Sequence, residues 1–248
     1  MAVHSFHLAK PGFFRTMAAL LNPPTRASTA GLRHAECMFP MRLGAAILSP
    51  GRWQPRSMAM FAEWESEAAI EAFLSDTSLG RVLATGWHVR LRFLRRWGQL
   101  AALEGLPERE GDTAPDAPVV AVTLARLALP QVPRFLHWGK PVERFVRDHP
   151  GATLAMAATR PLRTISTFTI WRSAREMSEM VHGRQEGGGA NRHAAAMVEH
   201  RRKDFHLEFT TLRFACISEH GAWDGRSSFV PVEREVHLPQ GPLTASAR

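Results

Sequence analysis

Apolar residues along the chain keep two periods. Ile70, Phe73 and Leu74 recur at i, i+3, i+4, and Met177, Met180 and Val181 do the same, which is one face of a helix. Short apolar and β-branched runs flank both stretches and read as strands. In the first part of the chain the expected order is strand Val3–Ala9, helix Pro11–Leu21, strand Arg42–Leu48, strand Ser57–Trp64, helix Glu67–Leu74 and strand Trp87–Arg95. Ser66 is placed to cap the second helix, with Glu67 in its first turn. In the second part the order is Val119–Leu127, Pro133–Asp148, Thr153–Ala158, Arg163–Trp171, Ala174–Val181 and His206–Ile217. A further helix is expected at Asn191–Arg201, after a glycine-rich stretch.

The two parts are copies of one pattern. Phe61-x-x-Trp64-x-Ser66 returns as Phe168-x-x-Trp171-x-Ser173. The helical triplets keep the same offset. Leu91-Arg92-Phe93 returns as Leu212-Arg213-Phe214, with extra residues in the second copy near Arg184–Asn191. Each copy is βαββαβ, the ferredoxin-like order, which leaves one sheet face bare. Two tandem copies can cover each other. The expected fold class is therefore α+β, with tandem ferredoxin-like repeats forming a pseudo-dimeric α+β barrel. The expected divisions are a first repeat at 1–103, an acidic, proline-containing linker at 104–118, a second repeat at 119–238 and a frayed tail at 239–248.

Length agrees: 248 residues correspond to about 1.7 average domains. With only Cys37 and Cys216, the chain has no four-cysteine zinc set, and HExxH is absent. No apolar run is long enough to span a bilayer and no signal-peptide pattern opens the chain, so a cytoplasmic location is expected. The absence of tyrosine removes the phenol as acid, radical site or axial ligand. The net charge of +8 is nearly all arginine. It permits nucleic-acid binding, but no recognition motif accompanies it, and no nucleic-acid partner is expected.

Thr164-Ile-Ser-Thr-Phe-Thr-Ile-Trp171, His193-Ala-Ala-Ala-Met197, Leu212-Arg213-Phe214 and the segment from Asp148-His-Pro-Gly to Ala158-Thr-Arg-Pro161 together resemble the spheroidene monooxygenase family of carotenoid biosynthesis. The resemblance centres on residues 119–215. It implies a tandem ferredoxin-like barrel, haem b, O2, an electron donor such as ferredoxin, and an apolar polyene as substrate. Peripheral membrane contact and the oligomeric state stay open. The stretch Arg172-Ser-Ala-Arg175 and glycines 187–189 depart from the family.

Under that resemblance His193 is the expected axial ligand, since a proximal histidine is a common haem ligand and small alanines follow it. His200 and His206 are alternatives, and His182 is a weaker one. Arg172 and Arg201 are the expected partners of haem propionates, because guanidinium binds carboxylate in a fork. Cys216 sits in an apolar strand and reads as a buried, inert thiol rather than a thiolate ligand, as does Cys37. Arg92 and Arg213 stand mid-strand and call for a structural partner. Trp64 and Trp171 read as repeated packing at strand ends. No catalytic residue is singled out. The alternative to a haem monooxygenase is a small-molecule-binding or cofactor-free oxygenase barrel, since fold does not fix function.

Overall fold

The computed structural model describes residues 2–46, 49–182 and 206–231. Its elements run β1 (Val3–Ala9), α1 (Phe13–Leu21), β2 (Leu32–Met41), β3 (Met58–Trp64), α2 (Glu67–Asp76), α3 (Ser78–Ala84), β4 (Trp87–Gln99), β5 (Val119–Leu127), α4 (Val132–Arg147), β6 (Ala152–Arg160), β7 (Thr164–Trp171), α5 (Ala174–His182) and β8 (His206–His220). Each half repeats βαββαβ, with α3 added to the first. The eight strands close into one antiparallel barrel in the order β1-β3-β2-β6-β7-β5-β8-β4. The fold is thus the expected α+β barrel built from two ferredoxin-like repeats.

The repeated motif has a repeated structural job. Ser66 Oγ accepts from Ala69 N and caps α2. Ser173 Oγ accepts from Glu176 N at the start of α5. Trp64 and Trp171 are buried on the helix side of their strands. Their indole N–H groups donate to Ser5 Oγ and Thr169 Oγ1, both at 2.8 Å, so neither polar edge is left bare.

Alternation sorts the strands into two faces. Phe6, Leu8, Phe61, Val89, Leu91, Val122, Phe168 and Phe214 fill the barrel lumen. Phe6 and Phe168, one from each half, stack with centroids 3.8 Å apart. The other face carries a separate core under α1–α3, including Met58, Met60, Ile70 and Phe73, and a smaller one under α5 built on Val119, Trp171, Met177 and Met180.

Two seams join the halves. β4 pairs β8 from His88↔His220 to Gln99↔Phe209, whereas β2 pairs β6 only at Phe39↔Thr159, Pro40↔Ala158 and Met41↔Ala157. Beside the shorter seam, Arg52 is almost fully buried and grips Glu143 of α4 with both guanidinium nitrogens, at 2.8 and 2.5 Å. One end of the lumen is plugged: Trp223 and Phe229 pack on the lumen core, with Phe229 edge-on to Trp87. Glu219 holds that plug, accepting from Trp87 Nε1, Phe229 N and Val230 N.

One expected element moved. The second strand is Leu32–Met41, not Arg42–Leu48; residues 42–46 form no strand. β2 carries His34 and Glu36 on its lumen side and Pro40 at the short seam. These residues break the apolar pattern that marks a buried strand. The helix expected at Asn191–Arg201 lies outside the described residues.

Candidate functional site

The unplugged end of the barrel is polar. Here β1, β2, β7 and β8 begin and β3, β4 and β5 end. Strand alternation brings His4, His34, Glu36, Glu63, Arg126, Thr164 and Glu208 to the lumen side, in line with the apolar residues deeper in the barrel. Glu36 is buried and forms an ion pair with Arg126, and it accepts from Thr164 Oγ1 at 3.3 Å. His34 Nε2 lies 3.6 Å from the same carboxylate. Arg126 also approaches Glu208, at 3.9 Å. Glu63 faces Arg33 at 3.6 Å. β2 from the first half and β5, β7 and β8 from the second therefore converge on one charge cluster, with His4 of β1 and Glu63 of β3 beside it.

Burial tunes these groups. It lowers the pKa of His4 to about 3, with Arg33 and His34 adding to the effect. It also lowers His34, against the pull of Glu36, so both imidazoles are neutral at pH 7. Burial raises Glu63. His4 is ringed by Phe61, Phe93 and Phe214, and neither of its ring nitrogens finds a hydrogen-bond partner among the described residues. A fold does not need a buried ion pair beside unpartnered histidines, since apolar replacements serve stability as well. Perturbed groups gathered at the mouth of a barrel are what an acid–base or binding site requires.

Next to this cluster lies a cavity of about 540 Å³, lined by Arg96, Gln99, Leu100, Glu104, His206 and Phe209 among others. That is within the size range of small-molecule and cofactor sites. A bulge near Leu94 resets β4 and brings Arg96 opposite Leu212, whose side chain is in the lumen core. The same reset places Arg95 opposite Arg213 on the outer face. Bulges of this kind re-aim side chains near functional sites. His206, at the start of β8, meets Phe135 edge-on and stacks on Phe209. Glu208 connects cavity and cluster, touching Arg126 and accepting from Ala101 N.

Of the residues singled out by sequence, His206 is in the cavity wall. Arg172 is exposed and follows β7 at the opposite end of the barrel, so it and His206 do not share a site. His193, His200 and Arg201 lie outside the described residues. Cys37 and Cys216 are both pushed up to about 12 by burial, so neither offers a ready thiolate. Arg213 lies over the Trp97 indole, as does Arg95, and no carboxylate pairs with Arg213 among the described residues. His34, Glu36, Glu63, Arg96, Arg126 and Glu208 were not singled out. Their signal is present: Arg126 continues the inward series Val122, Leu124, and Glu36 precedes buried Cys37 and Met38. A charge in phase with a buried strand face is the sequence signal of this cluster. Among the described residues, no three His, Cys, Asp or Glu side chains converge as a metal site.

No model of a known protein family matches the chain. The chain is similar to spheroidene monooxygenase of Rubrivivax gelatinosus, with 28% identity over 204 residues, covering 80% of this chain and 76% of that protein. Among solved structures it is similar to an aldoxime dehydratase bound to butyraldoxime, with 8% identity, a TM-score of 0.46 and coverage of 87% of this chain and 79% of that one. It is also similar to a heme-degrading enzyme of Listeria monocytogenes, with 9% identity, a TM-score of 0.27 and coverage of 84% and 98%. At these identities no residue of either structure carries over.

Proposed function

We propose that this protein, similar along most of its length to spheroidene monooxygenase, is itself a haem-dependent monooxygenase acting on an apolar polyene. The similarity over 204 residues carries the reading. The geometry supports it in three respects. A cofactor-sized cavity opens at one barrel end. An imidazole, His206, and a guanidinium, Arg96, line its wall, and these are the donor types for haem iron and a propionate. Phe209, partly exposed, gives the otherwise mostly polar wall one apolar face against which a flat macrocycle can stack.

Bound haem would supply O2 activation, drawing electrons from a donor such as ferredoxin. The chain's own share is to hold, orient and exclude water. His193 would be one candidate to hold the iron, with His206, in the described cavity wall, and His200 as alternatives. Arg96 would pair with a propionate in the described cavity. Arg201 is a further candidate, and Arg172 serves only a group bound at the other barrel end. The His34–Glu36–Arg126 cluster fixes charge beside the cavity and can hold a proton on His34 or release one from it.

That cluster also favours a second reading, a cofactor-free oxygenase. His34, a buried neutral imidazole beside the Glu36 carboxylate, is placed to take a proton from an acidic substrate, whereas His4, lowered to about 3, is too weak a base to do so. An absorption spectrum of the purified protein separates the two. A Soret band, or its appearance on haem titration, is the expected outcome. A titration that leaves free haem unchanged would sink the first reading and leave the second. Loss of the band in His206→Ala, His193→Ala or His200→Ala, taken singly, identifies the ligand.

A further inference from the structure

Helix α1 has no polar side. Phe13, Met17, Leu21, Phe14 and Ala18 follow one another around about 140° of its circumference, given 100° per residue. Thr16, Ala19 and Leu20 occupy the arc that packs on the barrel. Arg15 stands alone between the two arcs. A helix apolar all round belongs inside a protein or against lipid, yet this one lies on the surface. Phe14 is 85% exposed, Leu21 82% and Phe13 45%.

Apart from the exposed Asp224, which pairs with Lys10, the nearby chain is basic. The only acid among residues 1–62 is Glu36, and it is buried in the lumen. Arg15, Arg26, Arg42 and Arg56 are exposed. Gly12 N donates to Arg56 O at 3.1 Å, so the loop carrying Arg56 and the part-exposed Trp53 abuts the start of α1. Large apolar side chains, an interfacial tryptophan and a rim of arginines form the pattern of a helix lying in a membrane interface.

We propose that α1 and the 53–56 loop dock this protein on the surface of an anionic lipid bilayer, with Phe13, Phe14 and Leu21 inserted and Arg15, Arg26 and Arg56 on headgroup phosphates. Charge decides between lipid and a second copy of the chain. A second copy would set one arginine rim against another, whereas phosphate complements it. The inference does not depend on haem or on oxygenation.

The test is flotation of the full chain with vesicles. Vesicles of phosphatidylcholine with one-third phosphatidylglycerol are expected to carry the wild type. Pure phosphatidylcholine vesicles, or the mixed ones in high salt, should carry at least ten-fold less. The double substitution Phe14→Ser, Leu21→Ser should abolish flotation. Because both side chains are exposed, its thermal midpoint and far-UV circular dichroism should match the wild type. Arg15→Gln with Arg26→Gln should weaken binding to the mixed vesicles alone. A wild type that stays unbound, or a folded Phe14/Leu21 variant that floats as well as the wild type, overturns the proposal. So does a wild-type dimer that dissociates in that variant while neither protein binds vesicles, which would assign the face to self-association.

Discussion

His4 illustrates what a single buried side chain does to this protein. Above its ordinary value of 6.5 the imidazole is neutral in both folded and unfolded chains, and pH has no hold on stability through it. Below 6.5 the unfolded chain binds a proton that the folded one refuses until about pH 3. Stability is therefore full at and above neutrality and falls as the pH is lowered, by up to about 1.4 kcal/mol per pH unit. His88, lowered to about 4, acts in the same direction. The expected result is a thermal midpoint that declines from pH 6.5 to 4, with a shallower slope in His4→Leu. An unchanged slope in that variant would remove His4 from the account. The Glu36–Arg126 pair is the second residue-level case. Arg126→Met strands a buried carboxylate and should cost about 3 kcal/mol in urea unfolding. Adding Glu36→Gln should recover most of that loss. If the two losses simply add, the pair is not coupled.

At the scale of elements, the duplicated serines are the cleanest test of the repeat. Ser66→Ala and Ser173→Ala each remove an N-cap and should each lower stability by about 1 kcal/mol. Equal losses, read by thermal or urea unfolding, would show that the two halves use the motif alike. Most elements were legible because their apolar positions keep period. Phe73 and Met177 lie where a helix face demands, and Trp64 and Trp171 end their strands as the duplicated motif implies. β2 was not legible, because His34, Glu36 and Pro40 interrupt its pattern. The residues that hid the strand are among those of the candidate site, a conflict of the kind found where a local residue choice serves something other than folding preference. Arg96 was hidden for a different reason: only the bulge in β4 turns it toward the mouth, and a bulge leaves no period to read. The cavity, assembled from β4, β8 and the turn at 99–104, has no local signature at all.

On the scale of the whole molecule, closure rests on two unequal seams. The long one joins β4 to β8; the short one joins β2 to β6 and is reinforced by Arg52 and Glu143. Amide exchange should report the difference. The amides of Phe39 and Ala157 are expected to exchange sooner than those of Leu91 and Leu212, and Glu143→Gln should widen the gap. Equal protection at both seams would mean that the barrel opens only as a unit. Among the described residues, no helix is long and apolar enough to cross a membrane. Any association with lipid through these helices is therefore a matter of surface, as α1 suggests.

The position of β8 has a consequence for how the protein is made. Among the described strands β8 comes last, yet it sits between β4 and β5, and its partners along β4 are more than a hundred residues upstream. A ribosome therefore exposes seven strands, with two open edges and an uncovered row of phenylalanines, before the strand that shields them has emerged. Such distant pairing is slow to form. Until it does, the nascent chain presents a surface suited to chaperones, and to aggregation when they are scarce. A chain stopped at residue 205 should accumulate as insoluble protein or chaperone complex, whatever the stability of the finished barrel.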